Sequence, residues 1–386
     1  MKHSQDQRRR FLKMLSASGA GAMLPGCDIM DAPDREPEAS AFFKDTAPFI
    51  AHGAGNLEAR LENMGGFLTP VEQFFVRNND VSLDLDAASY RLEVAGDAAA
   101  SSLMLTYEDL HAMPHRTVFS IVECAGNHRA FFGAVMGRPV RGTPWGTGAI
   151  GMAVWTGVPL TEVLRRAGVK DNAVDVHLIG LDTGAPEGGF RRPIPIAKAM
   201  DPDTLLATHM NGAPLPRDHG YPVRAIVPGW VGSSNIKWLG RIEVSSEKVW
   251  GRNNTTSYVL VGDAYPESGE VVIEQSIKSA LALSWGAILQ AGRHRIRGYA
   301  HSPHAPIVAV QWSLDNGATW RDARVMDSAI RYAWERFEIE WEATPGEHRL
   351  MTRATDRLGN TQPDTIPYNE KGYLFNVPLP HPITVT

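Results

Sequence analysis

Cysteine is nearly absent from this chain: among 386 residues there are two, Cys27 and Cys124. Long apolar runs are missing as well, although 43% of the residues are hydrophobic and 21% charged, the balance of a soluble globular protein. No charge of one sign dominates. A net charge of -5 and a pI near 6.2 leave no electrostatic footprint for nucleic acid, so any basic cluster is local and suits a small anion better than a polymer. Nucleotide signatures are lacking too. There is no Walker lysine motif and no Gly-x-Gly-x-x-Gly in a strand-turn-helix setting, which argues against a nucleoside triphosphate or a Rossmann-bound dinucleotide. Nor is there an internal repeat or a low-complexity tract.

What is present begins with an address. Arg8-Arg9-Arg10-Phe11-Leu12-Lys13 precedes a short run of small and apolar residues, 14–24, too short for a permanent membrane helix. This pattern resembles a twin-arginine export signal and predicts a periplasmic protein. Leu24-Pro25-Gly26-Cys27 resembles a lipoprotein processing site, so both cleavage and lipidation at Cys27 stay open. About 350 residues then remain, more than one core usually serves, and two domains are expected. We place the boundaries at 1–30 for the signal, 31–285 for the first domain and 286–386 for the second.

Export changes the meaning of Cys124, which then has no disulfide partner within its chain although the compartment is oxidising. Such a thiol is either deeply buried or bound to something. It follows the β-branched run 118–122 and precedes Ala125-Gly126-Asn127, so it sits where a strand breaks into a tight turn and can face a pocket.

Along the first domain, residues 28–70 read as an irregular lead-in with a helical candidate over 56–64. Phe74, Phe75 and Val76 read as a strand core followed by Arg77, and residues 90–95 as another strand. Thr106 predicts a capping box for a short helix ending before Pro114, and Thr161 predicts the cap of a helix ending at Gly168. Residues 174–181 alternate like a half-buried strand ending in Asp182, a Gly-rich loop spans 184–189, and residues 194–200 start a helix that Asp201-Pro202 breaks. Next, Pro216-Arg-Asp-His-Gly-Tyr-Pro-Val-Arg224 delivers His219 and Arg224 to a turn, and Ala225 onward pairs a buried strand with a Gly/Ser turn and Lys237. Gly229 and Gly232 let backbone approach a ligand closely, and the flanking cations suit a phosphate.

From about residue 287 the pattern is all-β. Val308, Val310, Trp312 and Leu314 alternate with polar or small residues before Asp315-Asn316-Gly317, a hairpin signal. Phe337, Ile339 and Trp341 alternate with Glu338, Glu340 and Glu342, Pro345-Gly346 turns the chain, and a third strand covers 350–355. This spacing predicts an immunoglobulin-like sandwich.

Taken together, Cys-Ala-Gly-Asn-His-Arg at 124–129, Trp145-x-x-Gly-Ala-Ile with Trp155-Thr-Gly, Pro-Arg-Asp-His-Gly-Tyr-Pro-Val-Arg, and Val-Pro-Gly followed by Lys-Trp-Leu resemble the sulfite oxidase family of molybdenum enzymes, in the family's order and over residues 55–386. The resemblance implies an α+β fold: a mixed molybdopterin-binding domain, then an all-β dimerisation domain, and so a homodimer. It implies that Cys124 ligates molybdenum, a role that suits a soft thiolate. His219, Arg224, Ser233 and Lys237 fall at positions for the pterin and its phosphate, Asp182 and Asn79 beside the cofactor. Arg77, Arg129 and Lys371 match anion-binding positions, and Trp145 and Tyr258 pocket-wall positions. Asn79 stands where a histidine is common, and Lys371 where many members have arginine, losing the planar fork that grips an oxyanion bidentately.

The implied activity is a sulfite dehydrogenase, oxidising sulfite to sulfate. With no Cys-x-x-Cys-His and no haem domain in the sequence, electrons are expected to pass to a separate acceptor, a c-type cytochrome. Two rivals share the scaffold or part of it: another molybdenum oxidoreductase, acting on a sulfur compound or an S- or N-oxide, and a non-enzymatic binding protein built on the sandwich. A zinc site joining Cys124 to His115, His128, His209 or His219 lacks ligand spacing.

Overall fold

The computed structural model describes residues 41–53 and 55–386. The export motif and Cys27 therefore lie outside the described residues. The architecture is mostly β with a few short helices, an α+β domain followed by a two-sheet sandwich.

Two five-stranded sheets build the first domain. In one, Arg116–Glu123 pairs antiparallel with Ile150–Pro159, which pairs with Leu205–Met210, which in turn takes Ala213–Pro214 and Arg224–Ile226. The Arg116–Glu123 strand stops where predicted. Cys124 N donates to Ala149 O at 2.9 Å, and Asn127 N closes the turn on Cys124 O at 2.9 Å. The other sheet runs Leu103–Thr106, Arg91–Ala95, Leu239–Ser245, Asp175–Gly180, Arg191–Pro195, with only the Arg91–Ala95 and Leu239–Ser245 pair parallel.

Several local expectations change. Residues 56–64 hold a strand, Asn56–Glu58, and a one-turn 3-10 helix, Leu61–Asn63, because Asn56 and Leu57 pair with Arg77 and Val76. Phe74 and Phe75 precede the short Val76–Arg77 strand instead of forming it. The Asp175–Gly180 strand is buried at every residue: Val176 and Leu178 enter the core, while on the other face His177 lies beside Arg191 and Arg241 from the two neighbouring strands, and Asp175 takes Lys248 Nζ at 3.2 Å and Val249 N at 2.9 Å. Residues 194–200 straddle the end of Arg191–Pro195 and the helical turn Ile196–Ala199.

The Thr106 capping box forms, with Thr106 Oγ1 accepting from Asp109 N and the Asp109 side chain accepting from Thr106 N. Thr161, in contrast, lies inside the Leu160–Ala167 helix, whose N-cap is Pro159, and its hydroxyl meets Met200 Sδ at 3.6 Å. Gly168 ends that helix at φ 67°, as expected of a left-handed cap.

The sandwich stacks Lys278–Leu281, Gly292–His301, Trp334–Ala343 and Arg324–Val325 against a sheet of Ala287–Leu289, His381–Val385, Gly346–Asp356, Ile307–Ser313 and Arg321–Asp322. Strand pairing into it thus begins at Lys278. A bulge between Ile307 and Ala309 turns Val308 outward, 51% exposed, and places Ile307 in the core instead. Glu338 is buried, not solvent-facing, because Arg324 Nη2 at 2.7 Å and Arg297 Nε at 3.3 Å fold over it.

The two domains share a core. Tyr299 and Trp334 of the sandwich pack ring to ring at 4.2 Å beside Ile121 and Trp155, and their polar tips reach Met64 O at 2.8 Å and Phe67 O at 2.7 Å. Apolar bodies are thereby buried while both donors are satisfied.

Candidate active site

Cys124 opens onto a cleft with about 700 Å³ of empty volume. Nine residues singled out from the sequence line it: Arg77, Asn79, Cys124, Asp182, His219, Arg224, Ser233, Lys237 and Tyr258. They come from loops and strand ends of both sheets and of the small 50–77 sheet. Gly232 is what lets the 232–234 turn reach the cysteine, since a Cβ there would lie 2.9 Å from Glu123 O.

One wall of the cleft is cationic and buried. Arg224 donates to His219 O at 3.0 Å and Asn235 O at 3.1 Å, and stacks over Trp155 at 4.9 Å. Its Nε has no partner among the described residues. Burial brings Arg224 down to about 9, so it stays charged at neutral pH. Lys237 Nζ donates to Asp218 O at 2.9 Å and to the Asn78 side-chain oxygen, and burial with the Arg224 charge holds it well below the ordinary lysine range. His219 is likewise held well below its usual value, by burial and then by Lys44, Lys237 and Arg224. The nearby carboxylates offset this charge only in part: Asp218 and Asp182 favour the charged form of Lys237, but burial and Arg224 outweigh them. Asp218 is occupied by Phe43 N at 3.1 Å and Ser82 Oγ at 2.6 Å, while Asp182 accepts from Phe190 N at 2.9 Å and is pushed up by burial. Buried positive charge in excess of its acids, with an orphaned guanidinium N–H, is what a phosphate-bearing ligand completes.

Toward the cysteine the lining turns aromatic. Tyr258, at φ 53°, stacks on Tyr373 with centroids 5.5 Å apart, and burial raises its hydroxyl to about 12. Arg192, buried beneath, donates to Ser233 Oγ at 2.9 Å and to Asn253 O at 3.0 Å. Ser233 therefore meets the cleft with its oxygen already engaged. Arg77 curls back onto its own loop, donating to Asn78 O and, at 2.9 Å, to Asn79 Oδ1.

Three predicted residues stand behind the cleft wall. Arg129 donates to Lys371 O at 3.1 Å and Thr143 O at 3.0 Å and lies 5.1 Å from the Tyr373 ring, one layer behind Tyr258. Gly126, Gly142 and Gly372 make room for it: a Cβ on any of them would come within 2.5, 2.9 and 2.8 Å of its side chain, respectively. Lys371 meets Arg129 through its carbonyl, not its ammonium. Trp145 is fully buried, its ring 6.5 Å from Phe75, which does line the cleft.

Sequence reading missed Lys44, Asn78, Arg192, Asn235 and Tyr373. Arg192 carried no periodic signal, because Arg192, Pro193 and Ile194 are all buried in Arg191–Pro195. Lys44 had none, its partners lying 27 or more residues away. Among the described residues, no group of three His, Cys, Asp or Glu side chains is placed to hold a metal ion, so the alternative of a zinc site at Cys124 finds no ligand set.

Residues 78–252 match the family model described as an oxidoreductase molybdopterin binding domain, and residues 270–384 that of a Mo-co oxidoreductase dimerisation domain. Fold and matches define the class: a molybdopterin oxidoreductase domain joined to a dimerisation domain. The chain is 37% identical over 334 residues to mouse mitochondrial sulfite oxidase, covering 81% of this chain and 60% of that one, and 35% identical over 331 residues to chicken sulfite oxidase, covering 80% and 71%. It belongs to the sulfite oxidase family. The chain spans about 60% of the length of the mammalian relatives it matches. Its fold also matches the sulfane dehydrogenase SoxCD of Paracoccus pantotrophus, with a TM-score of 0.74, 26% identity, and coverage of 95% of this chain and 94% of that one.

The donor set fits the family's cofactor. A single soft sulfur lines the same cleft as Lys237 and the buried Arg224, whose Nε has no partner among the described residues, a donor set that suits a metal and a phosphorylated pterin.

Proposed function

We propose that this chain is an exported, molybdenum-dependent sulfite dehydrogenase that converts sulfite and water to sulfate, two protons and two electrons. The single observation that carries the reading is the placement of Cys124 on the same cleft as Arg224, Lys237 and His219, in a chain 37% identical to a sulfite oxidase. Bound there, the molybdenum cofactor supplies oxygen-atom transfer to sulfur and takes up the electron pair. Cys124 holds the metal end; His219, Arg224, Lys237 and Ser233 hold the pterin and phosphate end, with Asn79 and Asp182 flanking it. Arg77 and Tyr258 face the substrate, while Arg129, held by the Lys371 carbonyl, adds positive charge from one layer behind, where low dielectric strengthens it. Electrons leave to an external acceptor, a c-type cytochrome. The C-terminal sandwich, immunoglobulin-like in its spacing, joins two copies as a homodimer.

Export to the periplasm rests on Arg8-Arg9-Arg10-Phe11-Leu12-Lys13, with Cys27 a second, lipid-anchored ending of the same route. Among the described residues no helix is long and apolar enough to cross a membrane.

A second reading, dehydrogenation of another sulfur compound, is favoured by the near full-length match to the sulfane dehydrogenase SoxCD. One experiment addresses both: molybdenum and pterin are quantified in purified protein, and cytochrome c reduction is followed with sulfite and with a sulfane-sulfur donor. Turnover with sulfite alone supports the first reading, preference for the sulfane the second. Absence of molybdenum and pterin overturns both.

A further inference from the structure

Lys44 is a half-buried cation that the sequence did not single out and that the proposed chemistry gives no role. Its Nζ lies 2.8 Å from Val71 O, 2.9 Å from Phe74 O and 2.8 Å from His219 Nε2. Burial lowers it to about 8 while Asp218 and Glu72 oppose the shift, so at neutral pH it is an ammonium. An ammonium has three donors and no lone pair, and here each N–H has one acceptor.

That count constrains His219. Facing an ammonium, Nε2 must offer its lone pair, and the neutral imidazole must then carry its single proton on Nδ1. The ring is kept neutral first by burial, with the Phe74 ring packed edge-on at 5.3 Å, and then by the Lys44, Lys237 and Arg224 charges, which together outweigh the pull of the Val71 backbone. The neighbouring residue strengthens the clamp. Phe43 N donates to both oxygens of Asp218 at 3.1 Å, so consecutive residues of one segment hold consecutive residues of the Arg217–His219 turn.

We infer that Lys44 is a positioning residue for the cofactor cleft, fixing His219 as the Nδ1-protonated tautomer and thereby making it a hydrogen-bond donor to the ligand. The consequence for the cofactor rests on the function proposed above; the tautomer does not. An acceptor at His219 would meet an anionic pterin phosphate with a lone pair, whereas a donor adds a bond to it.

The test uses the holoprotein labelled with [¹⁵N]histidine, with the His219 signals assigned by their loss in His219→Gln. Wild type should show a protonated Nδ1 and an unprotonated Nε2. In Lys44→Met, Nε2 can protonate and donate to Val71 O, so the tautomer should invert and the cofactor should leave roughly tenfold faster or more, the loss expected of one charge-assisted bond. A wild-type spectrum with protonated Nε2 overturns the assignment, as does a folded Lys44→Met that keeps both the tautomer and the cofactor. If that variant does not fold, the wild-type spectrum decides alone. Protein that lacks pterin but shows protonated Nδ1 upholds the role of Lys44 and refutes the proposed cofactor instead.

Discussion

Lys278 Nζ donates to Glu123 Oε1 at 2.6 Å, with side chains only 3% and 1% exposed, so the residue next to Cys124 is tied to the first strand of the sandwich. Asn127 Nδ2 reaches the same oxygen at 2.9 Å, and Asn127 Oδ1 accepts from Ala149 N at 3.1 Å. The cysteine turn is thus braced from behind by the second domain.

Removing one partner of this pair strands a buried charge. Lys278→Met should destabilise the protein by about 3 to 5 kcal/mol, and adding Glu123→Gln should restore much of the loss by neutralising the orphaned carboxylate. Denaturant unfolding of the single and double variants checks this; a single-variant loss under about 1 kcal/mol would contradict it.

Substrate and cofactor cations should separate in kinetics normalised to molybdenum. Arg77→Ala and Arg129→Ala are expected to lower kcat/KM for sulfite by roughly ten- to a hundredfold at unchanged metal content. Arg224→Ala should lower metal content instead, each loaded molecule turning over nearly normally. Wild-type kinetics per metal in the Arg77 and Arg129 variants would end the anion-binding assignment and with it the preference for sulfite.

Cys124→Ser exchanges a soft donor for a hard hydroxyl. Turnover should collapse while pterin content stays largely intact, because the phosphate wall is untouched. Metal and pterin analysis beside an activity assay is the measurement, and near-normal activity would remove Cys124 as ligand.

His177 is buried beside Arg191 and Arg241, its Nε2 has no partner among the described residues, and burial, with those charges, lowers it from 6.5 to about 4. The unfolded chain therefore binds this proton first as pH falls. The contribution to stability is complete above about pH 6.5 and is lost toward pH 4, with a slope of about 1.4 kcal/mol per unit and a total of about 3 kcal/mol. Comparing urea midpoints of wild type and His177→Gln at pH 7.5 and 5 should show a shallower pH dependence in the variant; identical dependence would refute the assignment.

Changing Arg8 and Arg9 together to lysine should leave folded protein in the cytoplasm. Cell fractionation reads the result, and unimpaired export would withdraw the twin-arginine assignment.

The sequence by itself determined what depends on neighbours along the chain. The turn at Cys124, the Thr106 box, the left-handed Gly168 cap and the sandwich strands around Trp312 and Trp341 are set by β-branching, capping chemistry and period-two alternation. Motif order placed the thiol and the phosphate cations in one family and hence on one cleft. Tertiary structure decided whatever depends on packing between distant segments. Pairing with Val76–Arg77 drew residues 56–58 into a strand that local propensity read as helix, and side chains such as Arg191, Arg241 and Lys248, folded over the outer face of Asp175–Gly180, erased its alternation. It also sorted the cations: three glycines from separate loops let Arg129 fold behind Tyr373, and contacts 27 to 175 residues apart brought Lys44 to Val71, Phe74 and His219. No periodicity encodes such contacts, because each depends on which buried acceptor lies within about 3 Å once the sheets have packed.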